Sequence, residues 1–370
     1  MVEGRSLEET SAFEASTVID TDVHIAGVND PAYMKAVSRR LEEPFKSRFD
    51  PDVDTFANVY PTLGHGEVFP SEVHDEVGKV TDPSDIDRGL CDRFGVDVPI
   101  VHNLYMLDAG VDMERYGPEM RAHNDVFIEQ FLDDQDDVYG TATIGVNKPE
   151  ETVEEIERMA NESKIAGLMI HTGGQERALG DPRYDRVYAA AEDNDLPIVF
   201  HSTGSSLIWG GAGFSRGMKK HVTHHVLSQT WSQMLTLVTV VTEGVPEKFP
   251  ELEFVMLGPG IDWVPYLMGR TNREWHQRRT ESPMVKKLPE KYVRDQFYFG
   301  TQPLSEFNNT EFTRDLIDIV GADSLMYGSD YPHYDMDSPD AFDEAFSHLS
   351  ADERDQILSG NAGDVFDIPV

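Results

Sequence analysis

Three stretches of the chain end an apolar run with side chains that bind metals. Residues 17–25 contain Ile-Asp-Thr-Asp-Val-His, which sets Asp22 and His24 two positions apart. Alternate residues of a strand share a face, so both can point the same way. Residues 196–202 contain Ile-Val-Phe-His and offer His201; residues 324–330 end Tyr-Gly-Ser-Asp and offer Asp330, just before Tyr331 and Pro332. Two imidazoles and two carboxylates, brought together, would hold one divalent cation with a position left for water. Each residue also has a plainer role. An Asp-x-His pair can cap a turn, a strand-end histidine can be a hydrogen-bonded rim residue, and Gly-Ser-Asp before Tyr-Pro can be a turn signal. His171 closes a further apolar run and stands as a supporting or substrate-facing residue. The cluster His221, His224 and His225 reads as lid or helix surface rather than ligand.

These residues need a scaffold that gathers strand ends. Eight short apolar or β-branched runs recur, at 17–25, 98–104, 138–144, 165–171, 196–202, 252–257, 297–302 and 324–330. Between several of them lie amphipathic segments, such as 150–161, 184–193 and 310–321. Near-continuous apolar strands alternating with helices imply a parallel sheet covered on both faces. Eight such units predict a (β/α)8 TIM barrel, an α/β fold whose chemistry sits at the C-terminal ends of its strands. That puts Asp22, His24, His201 and Asp330 at one mouth, on strands one, five and eight. The rival, an open doubly wound sheet, usually carries a glycine-rich first turn, and no Gly-x-Gly-x-x-Gly follows the first run.

Long insertions follow strands one and five. The first holds a predicted helix near 32–45, then Tyr60, His65, Phe69 and His74; the second holds Trp209, the glycines of 210–217 and the histidine cluster. Both read as lid and pocket wall. With no repeat, low-complexity tract or linker in sight, the chain reads as a single domain over residues 1–370.

Composition excludes other classes. The net charge of −37 is spread over all 370 residues, and would repel nucleic acid and anionic lipid alike. Such repulsion is screened at molar salt, where the Debye length falls to about 3 Å. Lysine is scarce, 11 against 20 arginines. The expected setting is the cytoplasm of a salt-accumulating halophile. No run is long enough to span a membrane, and the opening Met-Val-Glu-Gly-Arg lacks the apolar core of a secretory signal. A lone cysteine, Cys91, forbids an intrachain disulfide and a cysteine-built metal site.

Further landmarks stand in order along the chain. They are Asp-Pro-Arg-Tyr-Asp at 181–185, Gly-Val-Pro-Glu-Lys-Phe-Pro-Glu-Leu at 244–252, Trp263-Val-Pro-Tyr, Tyr327-Gly-Ser-Asp-Tyr-Pro-His and Gly360-Asn-Ala. With the strand-end motifs they resemble the amidohydrolase-related branch of the amidohydrolase superfamily, which includes aminocarboxymuconate-semialdehyde and hydroxybenzoate decarboxylases. The resemblance runs from about residue 17 to the C-terminus. It implies a metal-dependent barrel, usually with Zn²⁺ and sometimes Mn²⁺, a small-molecule substrate and commonly a homodimer. The family's first motif is His-x-His or Glu-x-His; Asp22-x-His24 is a carboxylate variant, and His201 and Asp330 match the other ligand positions. One position departs. In the decarboxylases strand six ends in a proton-transferring histidine, whereas Gly258 stands at or beside that place.

The first expected reaction is therefore hydrolysis of a C–N or C–O bond. A bound Zn²⁺ lowers its water's pKa to about 7, Asp330 acts as general base, and His171 stabilises the oxyanion. Decarboxylation of an aromatic or unsaturated carboxylate is the alternative, provided His171 or His225 supplies the proton. A barrel that binds metal or ligand without turnover is the reading outside catalysis. Trp209, Trp263, Tyr266 and Phe69 suggest room for a cyclic or aromatic ligand, and Arg270 could clamp a carboxylate or face an acidic neighbour.

Overall fold

Strands form at all eight apolar runs: β1 (Ile19–His24), β2 (Val98–His102), β3 (Tyr139–Thr143), β4 (Ile165–His171), β5 (Ile198–His201), β6 (Phe254–Leu257), β7 (Phe297–Gly300) and β8 (Leu325–Met326). The computed structural model describes residues 17–25, 30–49, 80–105, 107–110, 113–202, 221–305, 310–333 and 335–369. Neighbours pair in chain order, every pair parallel. The sheet then closes on itself: Thr21 N donates to the Tyr327 carbonyl at 3.0 Å, and His24 N to that of Tyr331 at 2.7 Å. At the closing seam a Cβ on Gly328 would stand only 3.0 Å from the Asp22 Cβ, so glycine gives the closest approach. The protein is a (β/α)8 barrel, and this closure excludes the open doubly wound sheet.

Parallel strands with both faces covered must alternate between two apolar environments. Phe200, Phe254 and Phe297 face outward, where Phe254 stacks on Phe297 at 4.8 Å and on Phe200 at 5.9 Å. Burying each such ring is worth about 1.5–3 kcal/mol. Inward come Ile100, Met169, Val199, Val255 and Met326, and the short helix Asn361–Val365 adds Ala362 and Val365 to the same cluster. One step further along β2, β4 and β5 the inward residue becomes His102, His171 or His201. The barrel interior thus changes from aliphatic to imidazole at its C-terminal mouth.

Helices cover the outside where amphipathic spacing placed them. In α1 (Pro31–Arg40), Asp30 caps the first turn by accepting from Ala32 N at 3.0 Å and Tyr33 N at 3.2 Å. This helix ends at Arg40 rather than near 45, because Leu41 turns extended and Pro44 lies ahead. α2 (Tyr116–Phe127) follows β2, and α3 (Pro149–Met159) buries Thr152, Ile156 and Met159, one helical stripe. α4 (Asp185–Asp193), α5 (His221–Thr242), α6 (Val264–Arg278) and α7 (Thr310–Val320) continue the outer layer. The predicted lid and pocket-wall residues Tyr60, His65, Phe69, His74, Trp209 and the glycines of 210–217 lie outside the described residues.

Candidate metal centre

The mouth gathers the predicted ligands around one point. His24 Nε2 lies 3.0 Å from Asp22 Oδ1 and 2.8 Å from Asp330 Oδ1, and His201 Nε2 lies 3.1 Å from the same Asp22 oxygen. One ligand atom from each of the four residues fits within 4.8 Å of the others, and all four side chains are buried. Two local features make this possible. The register of β1 against β2 shifts between Asp20 and Val23, so Asp22 stands within the irregular stretch and His24 just beyond it. Asp330 adopts φ 62°, the left-handed region, which aspartate tolerates better than most residues. The predicted strand at 324–330 is therefore only two residues long; its remainder arches across β1 and delivers Asp330 from above.

A divalent cation suits this donor set. Neutral imidazoles and two carboxylates carry a charge of two minus in a buried place, and a lone buried carboxylate pair would otherwise be costly. His24 Nε2 has a single proton to share between two carboxylates, while Nδ1 of both His24 and His201 is buried without a partner. Burial opposes the charged form of each group. For Asp22 the facing His201 and His24 overcome it and hold the carboxyl well below its usual range. Asp330, against His333 and His24, is held at about 2. His24, between Asp22 and Asp330, is pushed up to about 10.

That last shift gives a signed prediction. The metal-free His24 pKa lies above neutral, so the imidazolium dominates at pH 7.5, and a metal needs the neutral Nε2. Binding of Mn²⁺ or Zn²⁺ should release about one proton from His24, and affinity should rise about tenfold per pH unit between pH 7 and 9. Calorimetry in buffers of different ionisation enthalpy reads the proton directly. Flat affinity with no proton release would show that His24 does not ligate.

Other residues surround this centre. His171 is 3 % exposed, neither ring nitrogen has a partner, and its ring stands edge-on to His201 at 6.1 Å. Burial, then the neighbouring His201, His24 and His102, hold it well below its ordinary pKa, so the ring is neutral. His225 meets Asp335 at 3.6 Å, while the side chains of His221 and His224 lie outside the described residues. Arg270 pairs with Glu274 at 2.7 Å on α6, which settles its alternative as a surface pair rather than a clamp. Trp263 is core: its Nε1 donates to Gly260 O at 2.8 Å and its ring meets Phe299 edge-on. Tyr266 is 62 % exposed.

Four contributors were not singled out from the sequence. His102 Nε2 lies 2.7 Å from the Thr21 carbonyl, which can only accept, so Nε2 carries the proton and Nδ1 accepts from Thr141 Oγ1 at 2.7 Å. This histidine braces β1 behind Asp22 and has no nitrogen left for a metal. Its signal was present, since an apolar run ends in histidine there as at His171 and His201. Asp20 accepts from Ser329 N at 2.9 Å and from Asp22 N at 3.1 Å, tying the Asp330 turn to β1; burial raises its pKa to about 7. His333 Nδ1 contacts Asp330 Oδ1 at 2.8 Å, and Asp335 lies close by. No spacing rule flags those two, because their turn is irregular. Gly258 has φ 97°, a left-handed backbone that favours glycine, and a Cβ there would come within 2.9 Å of Ser202 Oγ, so a histidine at that residue would be strained.

A family model described as Amidohydrolase matches residues 94–368. A gamma-resorcylate decarboxylase from a Polaromonas strain is 23 % identical over 295 residues, covering 75 % of this chain and 85 % of the relative. The structure of 5-carboxyvanillate decarboxylase from Sphingomonas paucimobilis superposes with a TM-score of 0.71 at 21 % identity, over 96 % of this chain and all of that one. A Polaromonas dihydroxybenzoic acid decarboxylase with bound manganese and the inhibitor 2-nitroresorcinol gives 0.67 at 20 % identity, over 96 % and 98 %. These relatives overturn hydrolysis as the first reading of the reaction. Metal-assisted water attack and metal-assisted decarboxylation use the same cluster of imidazoles and carboxylates. Asp22, His24, His201 and Asp330 suit either reaction, so these four residues do not separate the two.

Proposed function

The chain belongs to the amidohydrolase family, on the branch of the aminocarboxymuconate-semialdehyde decarboxylases, and from that membership we propose that it is a metal-dependent nonoxidative decarboxylase of an aromatic hydroxy-carboxylate. One observation carries the reading: a buried four-donor cluster at the mouth of a barrel whose relatives release CO₂. Asp22, His24, His201 and Asp330 would hold the cation; half of the donor atoms are oxygens, which suits Mn²⁺ as well as Zn²⁺. A cation held there would supply Lewis-acid stabilisation of negative charge developing on the substrate.

The protein's own groups do the rest. Asp330, held ionised by His24 and His333, accepts the hydroxyl proton and returns it to the ring carbon that bears the carboxylate. A C–H bond forms there, the C–C bond to the carboxylate breaks, CO₂ leaves, and solvent restores the hydroxyl proton. His171, neutral and without a protein partner, donates one N–H to the substrate carboxylate. Its deep burial keeps competing water away.

The substrate is a small molecule. The net charge of −37 argues against a nucleic-acid or membrane partner. Among the described residues no helix is long and apolar enough to cross a membrane. We assign the protein to the cytoplasm at high salt, with a second copy of the chain as its expected partner.

The test is a product assay on protein purified in molar salt and loaded with Mn²⁺ or Zn²⁺. Gamma-resorcylate, 5-carboxyvanillate and related ortho-hydroxybenzoates should release CO₂ stoichiometrically with the decarboxylated phenol. Hydrolysis of amides, esters or lactones, with no CO₂ from any carboxylate, would reject this assignment.

A further inference from the structure

A second group of donors stands beside the first. Asp330, His333 and Asp335 each bring a ligand atom within 4.8 Å of the others. His333 Nδ1 lies 2.8 Å from Asp330 Oδ1, and its ring stacks on that of His24 at 4.9 Å. From the opposite wall α5 adds His225, whose Nε2 is 3.6 Å from Asp335 Oδ2. Gln229, one turn along α5, has its Nε2 3.4 Å from that same ring nitrogen. Two carboxylates and one imidazole therefore converge in the turn after β8, and a second imidazole from α5 stands beside Asp335. His333 and Asp335 are only half-buried, so an ion can arrive from solvent without opening the barrel.

Charge points the same way. Asp330 and Asp335 each bring a carboxylate oxygen to this group, so a cation seated between them would offset two neighbouring negative charges. We propose that Asp330, His333, Asp335 and His225 form a second, weaker divalent-cation site that inhibits the enzyme when filled. The proposal rests on the metal reading of the first site, with Asp330 shared between the two. Inhibition follows from that sharing. Asp330 Oδ1 is the atom that His24 and His333 both contact, so a second cation there would compete with the substrate proton for the same carboxylate.

The experiment titrates Zn²⁺ into chelator-treated, full-length protein in molar salt, reading bound metal by mass spectrometry of the equilibrated protein and turnover in parallel. Wild type should bind a first equivalent that activates and a second that inhibits. Asp335→Asn and His225→Gln should keep the first equivalent and the basal turnover, while the second ion and the inhibition need at least about tenfold more Zn²⁺. With Mn²⁺ in both sites, the electron paramagnetic resonance of wild type should show a spin-coupled pair that Asp335→Asn lacks. One equivalent bound with no second up to millimolar Zn²⁺ would overturn the second site and leave the proposed function standing. Second-ion binding unchanged in both variants would overturn it equally. Protein that retains no first equivalent would refute the proposed function, and the shared site with it.

Discussion

His201→Ala should purify folded but without its metal, and should release no measurable CO₂. His201 stands at the end of β5 with Nε2 directed at Asp22 Oδ1, and it supplies one of the two imidazoles that the described residues bring to the centre. Asp22, His24 and Asp330 would remain. A site of two carboxylates and one imidazole, with His24 pulled toward its protonated form by both carboxylates, holds a divalent ion poorly at neutral pH. The fold should survive, because His201 Nδ1 has no partner and the Val199 layer beneath it is untouched. Metal content after dialysis against chelator, with circular dichroism on the same sample, decides the matter. A full equivalent of retained metal would remove His201 from the ligand set.

Asp330→Asn should keep the metal and lose the chemistry. Asparagine accepts the left-handed backbone at φ 62° as readily as aspartate, and its amide oxygen still faces His24. It has no charge and takes up no proton. Turnover should fall by at least about a hundredfold, the lower end of what a positioned acid or base contributes. Bound metal should stay near one equivalent through Asp22, His24 and His201. Normal turnover with normal metal would make Asp330 a turn residue, and would take the proton path of the proposed mechanism with it.

Much of this protein can be read along the chain. Periodicity alone places eight strands and several of the helices between them, because a parallel strand buried on both faces must be apolar almost throughout. Closure follows from the strand count. The four residues of the candidate metal centre are legible too, since a polar residue at the end of an apolar strand falls at the barrel rim, and Asp22 and His24 share a face by the period of two. The reaction was not legible: hydrolysis and decarboxylation place the same donors around the same ion.

What the tertiary structure decides is everything that depends on segments far apart in sequence touching through irregular backbone. Asp20 reaches Ser329 across the closing seam, and His102 spends both nitrogens on Thr21 and Thr141 instead of on a metal. The turn after β8 sets His333 against Asp330, and α5 brings His225 to Asp335. No periodic pattern encodes these contacts, because they form between turn residues whose directions are set by local dihedral angles rather than by a helix or strand repeat. Local sequence determines which side chains arrive at the mouth of the barrel. Only the closed ring of strands determines which of them face the same point, and so which hold an ion and which hold each other.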